Sequence, residues 1–154
     1  MPIARRTVIA GGAAAVALGA AGWLLLPAST ADAEVVVYKS PSCGCCGNWV
    51  EHLRANGFSV AVRERDDLTP VKTRLGVPDA LQSCHTAEVG GYVVEGHVPA
   101  ADIRRLLAER PPQARGLAVP GMPAGAPGME DGRRRDAYQV ILFGDIGHSV
   151  YARY

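Results

Sequence analysis

Three cysteines within four residues, Cys43-Gly44-Cys45-Cys46, constrain this chain more than any other stretch. An apolar β-branched run, Val35-Val36-Val37-Tyr38, leads into them, and Trp49-Val50-Glu51-His52-Leu53-Arg54 leads away with helical spacing. A strand that turns through cysteines into a helix sets thiols at the helix N-terminus. There the free backbone N–H groups and the helix dipole favour thiolate. Thiolates so placed do metal chemistry or redox chemistry, and the stretch alone leaves both open.

The remainder of the chain supplies the frame. Residues 34–39 read as a short buried strand, residues 46–55 as a helix stopped by Asn56-Gly57, and residues 58–62 as an alternating strand. Asp66-Asp67-Leu68-Thr69-Pro70 opens a second helix that runs through Leu75. Two short strands on either side of Gly90-Gly91 read as a hairpin, and residues 100–110 as an amphipathic helix with Ile103, Leu106 and Leu107 on its buried stripe. Residues 116–132 carry no periodicity and are read as one long loop, which in a compact domain points to function or disorder. Residues 138–143 and 149–154 close the chain as a hairpin. The fold class expected is α/β, with a parallel first pairing: a thioredoxin-like β-α-β-α-β-β-α core plus a C-terminal β-hairpin extension.

The N-terminal segment stands apart from this frame. Arg5-Arg6 precedes a nearly uncharged run from Thr7 to Leu26, and Ala31-Asp32-Ala33 fits a small-residue cleavage site. Residues 1–33 are therefore expected to be a signal peptide of the twin-arginine or Sec type, with a retained anchor as the alternative. Residues 34–154 form a single domain carrying all four cysteines. The formal net charge of +1 gives no electrostatic reason for nucleic acid as a partner, nor for a membrane surface beyond the signal segment.

Outside the cytoplasm, four cysteines ordinarily imply two disulfides. Adjacent Cys45 and Cys46 rarely meet disulfide geometry, so at most one of the three clustered thiols pairs comfortably with Cys84. Cys43 and Cys46 form a C-x-x-C pair, which suits a thiol–disulfide oxidoreductase. The inserted Cys45 favours a soft metal, because a third thiol scrambles a redox pair whereas Cu(I) gains from each added thiolate. Zinc is the competing metal, but structural zinc sites ordinarily pair two separated knuckles and only one is present. The expected topology brings the loop holding Cys84-His85-Thr86 up against the cysteine turn. His85 and His97 are candidate ligands beside Cys84. Met122 and Met129, flanking a Pro/Gly-rich stretch, offer thioethers. His52, well along the first helix, and His148, in the last hairpin, are expected away from the thiols.

Four blocks carry a resemblance: residues 38–46, residues 83–86, residues 94–100 and residues 119–130. Together they resemble the CopG-type periplasmic copper-resistance proteins in order along residues 34–154. The resemblance implies a thioredoxin-like domain that binds copper through cysteine sulfurs, with roles in copper tolerance and in interconverting Cu(I) and Cu(II). The family's cysteines map onto Cys43, Cys45, Cys46 and Cys84, and its methionine-bearing loop onto Met122 and Met129. The expected cargo is copper as Cu(I), one or several ions, held by these six residues with His85 and His97. The expected protein partners are other periplasmic copper-handling proteins. The oxidoreductase using Cys43 and Cys46, and a cofactor-free domain with two disulfides, remain the alternatives.

Overall fold

The computed structural model describes residues 33–130, 132, 134–145 and 147–154. The expected signal segment lies, up to residue 32, outside these. Seven strands form one mixed sheet in the order β2-β1-β3-β4-β5-β6-β7. The strands are β1 (Val35–Lys39), β2 (Val60–Glu64), β3 (His85–Val89), β4 (Tyr92–Glu95), β5 (Ala114–Ala118), β6 (Gln139–Gly144) and β7 (Gly147–Arg153). Among the described residues the helices are α1 (Gly44–Ala55), α2 (Thr69–Leu75) and α3 (Ala100–Glu109), with a 3-10 turn at Asp79–Leu81. Strand β1 pairs parallel with β2 and antiparallel with β3, and β4 pairs parallel with β5 across the α3 crossover.

Alternation along the strands separates two apolar layers. On one face Val35, Val37, Ala87, Val94, Leu117 and Val140 pack against Trp49, Val50 and Leu53 of α1 and Ile103, Leu106 and Leu107 of α3. On the other, Val93, Ala118, Ile141 and Phe143 pack against Val77 and Leu81, with Leu75 at the rim. The Trp49 indole N–H donates to the Val98 carbonyl at 2.9 Å, tying α1 to the segment entering α3. The Gly90-Gly91 turn takes positive φ at both residues, as a two-residue hairpin demands.

Three expectations are corrected. Helix α1 begins at Gly44 rather than at residue 46, so Cys45 lies within its first turn together with Cys46. The second strand starts at Val60, because its parallel register runs from Val35↔Val60 to Lys39↔Glu64, while Phe58 packs into the core before it. The start of the expected long loop is strand β5. Ala114-Arg115-Gly116-Leu117-Ala118 contains no β-branched residue, and β4 and β6 on either side impose its conformation. Gly116 permits the close approach: a Cβ there would stand 1.8 Å from the Val93 carbonyl oxygen.

Candidate metal centre

The polypeptide leaves β1 through exposed Pro41 and Ser42 and enters α1 with Cys43 at the N-cap. No side chain caps this end and no acidic residue occupies the first turn, so the helix dipole acts uncompensated on the cysteines. Cys43 and Cys46 are joined by a disulfide, and Cys45 and Cys84 are free thiols. Cys43 Sγ lies 3.5 Å from Cys45 Sγ, and Cys46 Sγ lies 3.8 Å from the carbonyl oxygen of Cys84. The sulfurs of Cys43, Cys45, Cys46 and Cys84 all lie within 4.8 Å of one another.

Cys84 belongs to a second group as well. Its sulfur stands 3.3 Å from His85 Nδ1 and 3.2 Å from His97 Nε2, and these three atoms also fall within 4.8 Å of one another. Both imidazoles are fully buried. His97 Nδ1 lies 2.7 Å from the Pro127 carbonyl, which can only accept, so Nδ1 carries the proton and Nε2 presents its lone pair to Cys84. One S–H cannot serve two imidazoles. The consistent arrangement has Cys84 donating to His97 and His85 Nδ1–H donating to the sulfur. His85 Nε2 is left buried without a hydrogen-bond partner.

The electrostatics keep these donors proton-balanced and neutral. Burial, and next the neighbouring Cys45, pushes the Cys84 thiol up to about 11. Burial, then His97 and Lys72, holds His85 well below its ordinary value, and burial likewise lowers His97. His97 Nε2 offers a lone pair as it stands, whereas His85 must move its proton from Nδ1 to the unpartnered Nε2, and Cys84 must give up a proton, before the atoms facing one another can ligate.

The 119–130 loop folds back over this cluster. Gly128 sits so close to the first turns of α1 that a Cβ would be 2.7 Å from Trp49 N and 3.0 Å from the Cys45 carbonyl oxygen. The Gly121 carbonyl accepts from Ser83 Oγ at 2.5 Å, which pins the other end of the loop beside Cys84. Met129 follows Gly128 and is half-buried, whereas Met122 is 56% exposed. His52 Nε2 accepts from Ala100 N at 3.2 Å and thereby caps α3, and His148 is exposed on β7. Neither histidine belongs to the two clusters.

Sequence reasoning missed what lies behind the ligands. Glu95, Lys72 and Thr86 are buried together, next to Ser83. The available signal was a carboxylate ending the apolar run Val93-Val94-Glu95, where a strand residue has no water to turn to.

Donor chemistry fits a thiophilic ion that also accepts imidazole. Four sulfurs and two neutral imidazoles meet around one shared thiol, and one buried imidazole nitrogen has no protein partner. Residues 81–129 match a family described as a protein of unknown function, DUF411. Two solved structures are similar to the chain. A copper resistance protein CopG, form 2, is 49% identical, covers 80% of this chain and 98% of its own, and superposes with a TM-score of 0.75. Form 1 of a copper resistance protein CopG is 50% identical over 79% of this chain and 96% of its own, with a TM-score of 0.74. No protein of curated function matches the chain.

Proposed function

Since this chain belongs to the family of the copper resistance protein CopG, we propose that it is an exported copper-binding protein of copper tolerance, with the cysteine turn as its metal centre. The observation that carries the reading is the convergence of four cysteine sulfurs within 4.8 Å, one of them also facing two buried imidazoles. Cys43, Cys45, Cys46 and Cys84 hold Cu(I) as thiolates, His85 and His97 supply nitrogen, and Met122 and Met129 complete or shield the site from the loop above. The strand order β2-β1-β3-β4, with α1 following β1, supports reading the core as thioredoxin-like. The leader in residues 1–33 directs the domain to the periplasm, where its partners are copper ions and other copper-handling proteins.

Four thiolates are available only when the Cys43–Cys46 bridge is open. Opening it takes two electrons and two protons and releases two thiols. Two electrons match the oxidation of two Cu(I) ions to Cu(II), so bridge and metal can exchange electrons in a balanced step that interconverts the copper states. Copper titration of the reduced protein, read by metal analysis and X-ray absorption, tests the reading. Sulfur coordination is expected. No uptake, or oxygen and nitrogen coordination alone, would overturn it.

A second reading, a thiol–disulfide oxidoreductase using Cys43 and Cys46, is favoured by the bridge itself at the start of α1. Sustained insulin reduction by the metal-free protein, undiminished in Cys45→Ser, would support it over copper binding.

A further inference from the structure

Cys84 and His85 are neighbours at the start of β3, and one carboxyl group lies behind both. Glu95 Oε1 accepts from the Ser83 backbone N–H at 2.6 Å, and its Oε2 accepts from Thr86 Oγ1 at 2.6 Å. These two anchors flank the dipeptide on either side. Lys72 of α2 closes the group, donating to Glu95 Oε1 at 2.5 Å and to Thr86 Oγ1 at 2.9 Å. Glu95 is fully buried, and Lys72 is 6% exposed. Gly96 N donates to the His85 carbonyl at 3.0 Å, and His97 follows with its Nε2 on Cys84. A Cβ at Gly96, whose φ is +71°, would lie 2.6 Å from Ser83 Oγ. The end of β4 is therefore shaped to receive the Ser83–Cys84 segment.

Stability alone does not explain such a group. Burying a carboxylate with an ammonium costs desolvation that their attraction often only repays, and apolar replacements of buried pairs are frequently neutral or stabilising. Glu95 is not itself placed as a ligand. Both oxygens are committed to donors, and it belongs to neither cluster of converging metal-binding atoms among the described residues.

We propose that Glu95, held by Lys72, is a positioning residue that fixes the Cys84-His85 dipeptide from behind and sets the direction of the shared sulfur and the adjoining imidazole. The inference rests on the copper reading of the same centre for its purpose, though not for its geometry. Without the tether, Ser83 is released from Thr86, which stays held in β3 between β1 and β4, and Cys84 no longer faces His97 and the α1 cysteines at once. Outer groups that orient metal ligands affect affinity by about 10–100-fold when removed.

The test uses the full chain with Lys72→Met and Glu95→Met together, which keeps unbranched side chains at both positions and removes both charges and both acceptor oxygens. Two readouts are needed. In the metal-free, bridged protein, Cys45 and Cys84 are the free thiols, and the ratio of their iodoacetamide alkylation rates is measured by peptide mapping. In the reduced protein, Cu(I) affinity is measured by competition with a chromophoric chelator. The expected result is native circular dichroism, a raised Cys84-to-Cys45 alkylation ratio, and a Cu(I) affinity lowered about 10–100-fold. An unchanged ratio, or unchanged Cu(I) affinity in the folded variant, overturns the proposal. Should the double variant not fold, Thr86→Val cuts one anchor with little change of shape, and the same two outcomes decide. Absence of copper uptake by the unaltered protein would defeat the copper reading, whereas the alkylation ratio would still decide the positioning role.

Discussion

Pro127 presents its carbonyl oxygen to His97 Nδ1 at 2.7 Å, and that contact dictates which imidazole nitrogen faces Cys84. The loop thus does more than cover the cluster, because it sets the tautomer of a candidate ligand from outside. Second contacts of this kind orient metal-bound histidines generally.

Gly128→Ala is expected to break this arrangement. Its φ of +83° is strained for any other residue, and the added Cβ would meet backbone atoms of Trp49 and Cys45 that cannot turn aside. The loop must lift from α1, taking the Pro127 carbonyl away from His97. A stability loss of about 1–3 kcal/mol follows from the strained backbone, with Cu(I) affinity down about tenfold. Chemical denaturation and chelator competition measure the two, and wild-type values in both would refute the role given to the loop.

Acid should destabilise the metal-free protein. His85 is held well below its ordinary value, by burial first and then by its neighbours His97 and Lys72, and His97 is lowered by burial. The unfolded chain takes up protons near pH 6.5 that the folded chain refuses. Stability is therefore fully present above that pH and is lost as pH falls toward the folded values. Each such proton contributes a slope of about 1.4 kcal/mol per pH unit. Urea unfolding between about pH 7 and 5 reads the slope, which should shrink in His85→Gln. A flat profile for the unaltered protein would contradict the burial of neutral imidazoles.

Gly116→Ala should be among the most damaging single substitutions in the chain. Strand β5 is clamped between β4 and β6, and the new methyl group would overlap the Val93 carbonyl. The strand must separate or twist, breaking ladders on both sides, and the expected loss is about 4 kcal/mol or more. A midpoint in urea close to that of the unaltered protein would refute the tight pairing.

That same strand marks the limit of what the sequence discloses. The cysteine turn, the two helices with clear apolar stripes and the Gly90-Gly91 hairpin were legible because each has a local cause: periodicity, a helix stop, or a turn requiring positive φ. Strand β5 has none, since Ala114 to Ala118 is extended by its neighbours rather than by its own preferences. The meeting of Cys84 with the first three cysteines followed from element order. The full burial of His85, the first residue of β3, did not. It arises from Trp49, whose ring centroid lies 4.4 Å from that of the imidazole, and from His97, whose ring meets it edge-on at 4.9 Å. The group of Ser83, Thr86, Glu95 and Lys72 was illegible for a similar reason. Its four members come from α2, the Ser83 turn, β3 and β4, and no spacing rule connects them.

Trp49 should report metal binding directly. Its ring centroid lies 4.4 Å from that of His85, at an interplanar angle of 43°, while its indole N–H is already committed to the Val98 carbonyl. The indole is thus rigid and fully buried, so its emission is expected in the blue range of a dry environment. A copper ion held by Cys84 and His85 would stand within a few ångströms of that ring, close enough to quench it efficiently. The chain's other tryptophan is Trp23, so Trp23→Phe isolates the signal. Stepwise addition of Cu(I) to the reduced Trp23→Phe protein should quench the emission in proportion to occupancy, without a red shift, because no water enters. Cys84→Ser should abolish most of the quenching, since it removes the sulfur common to both donor groups, whereas Cys43→Ser should retain part of it. Copper uptake that leaves the emission unchanged would place the ion away from Cys84 and His85, and so refute the shared-sulfur arrangement.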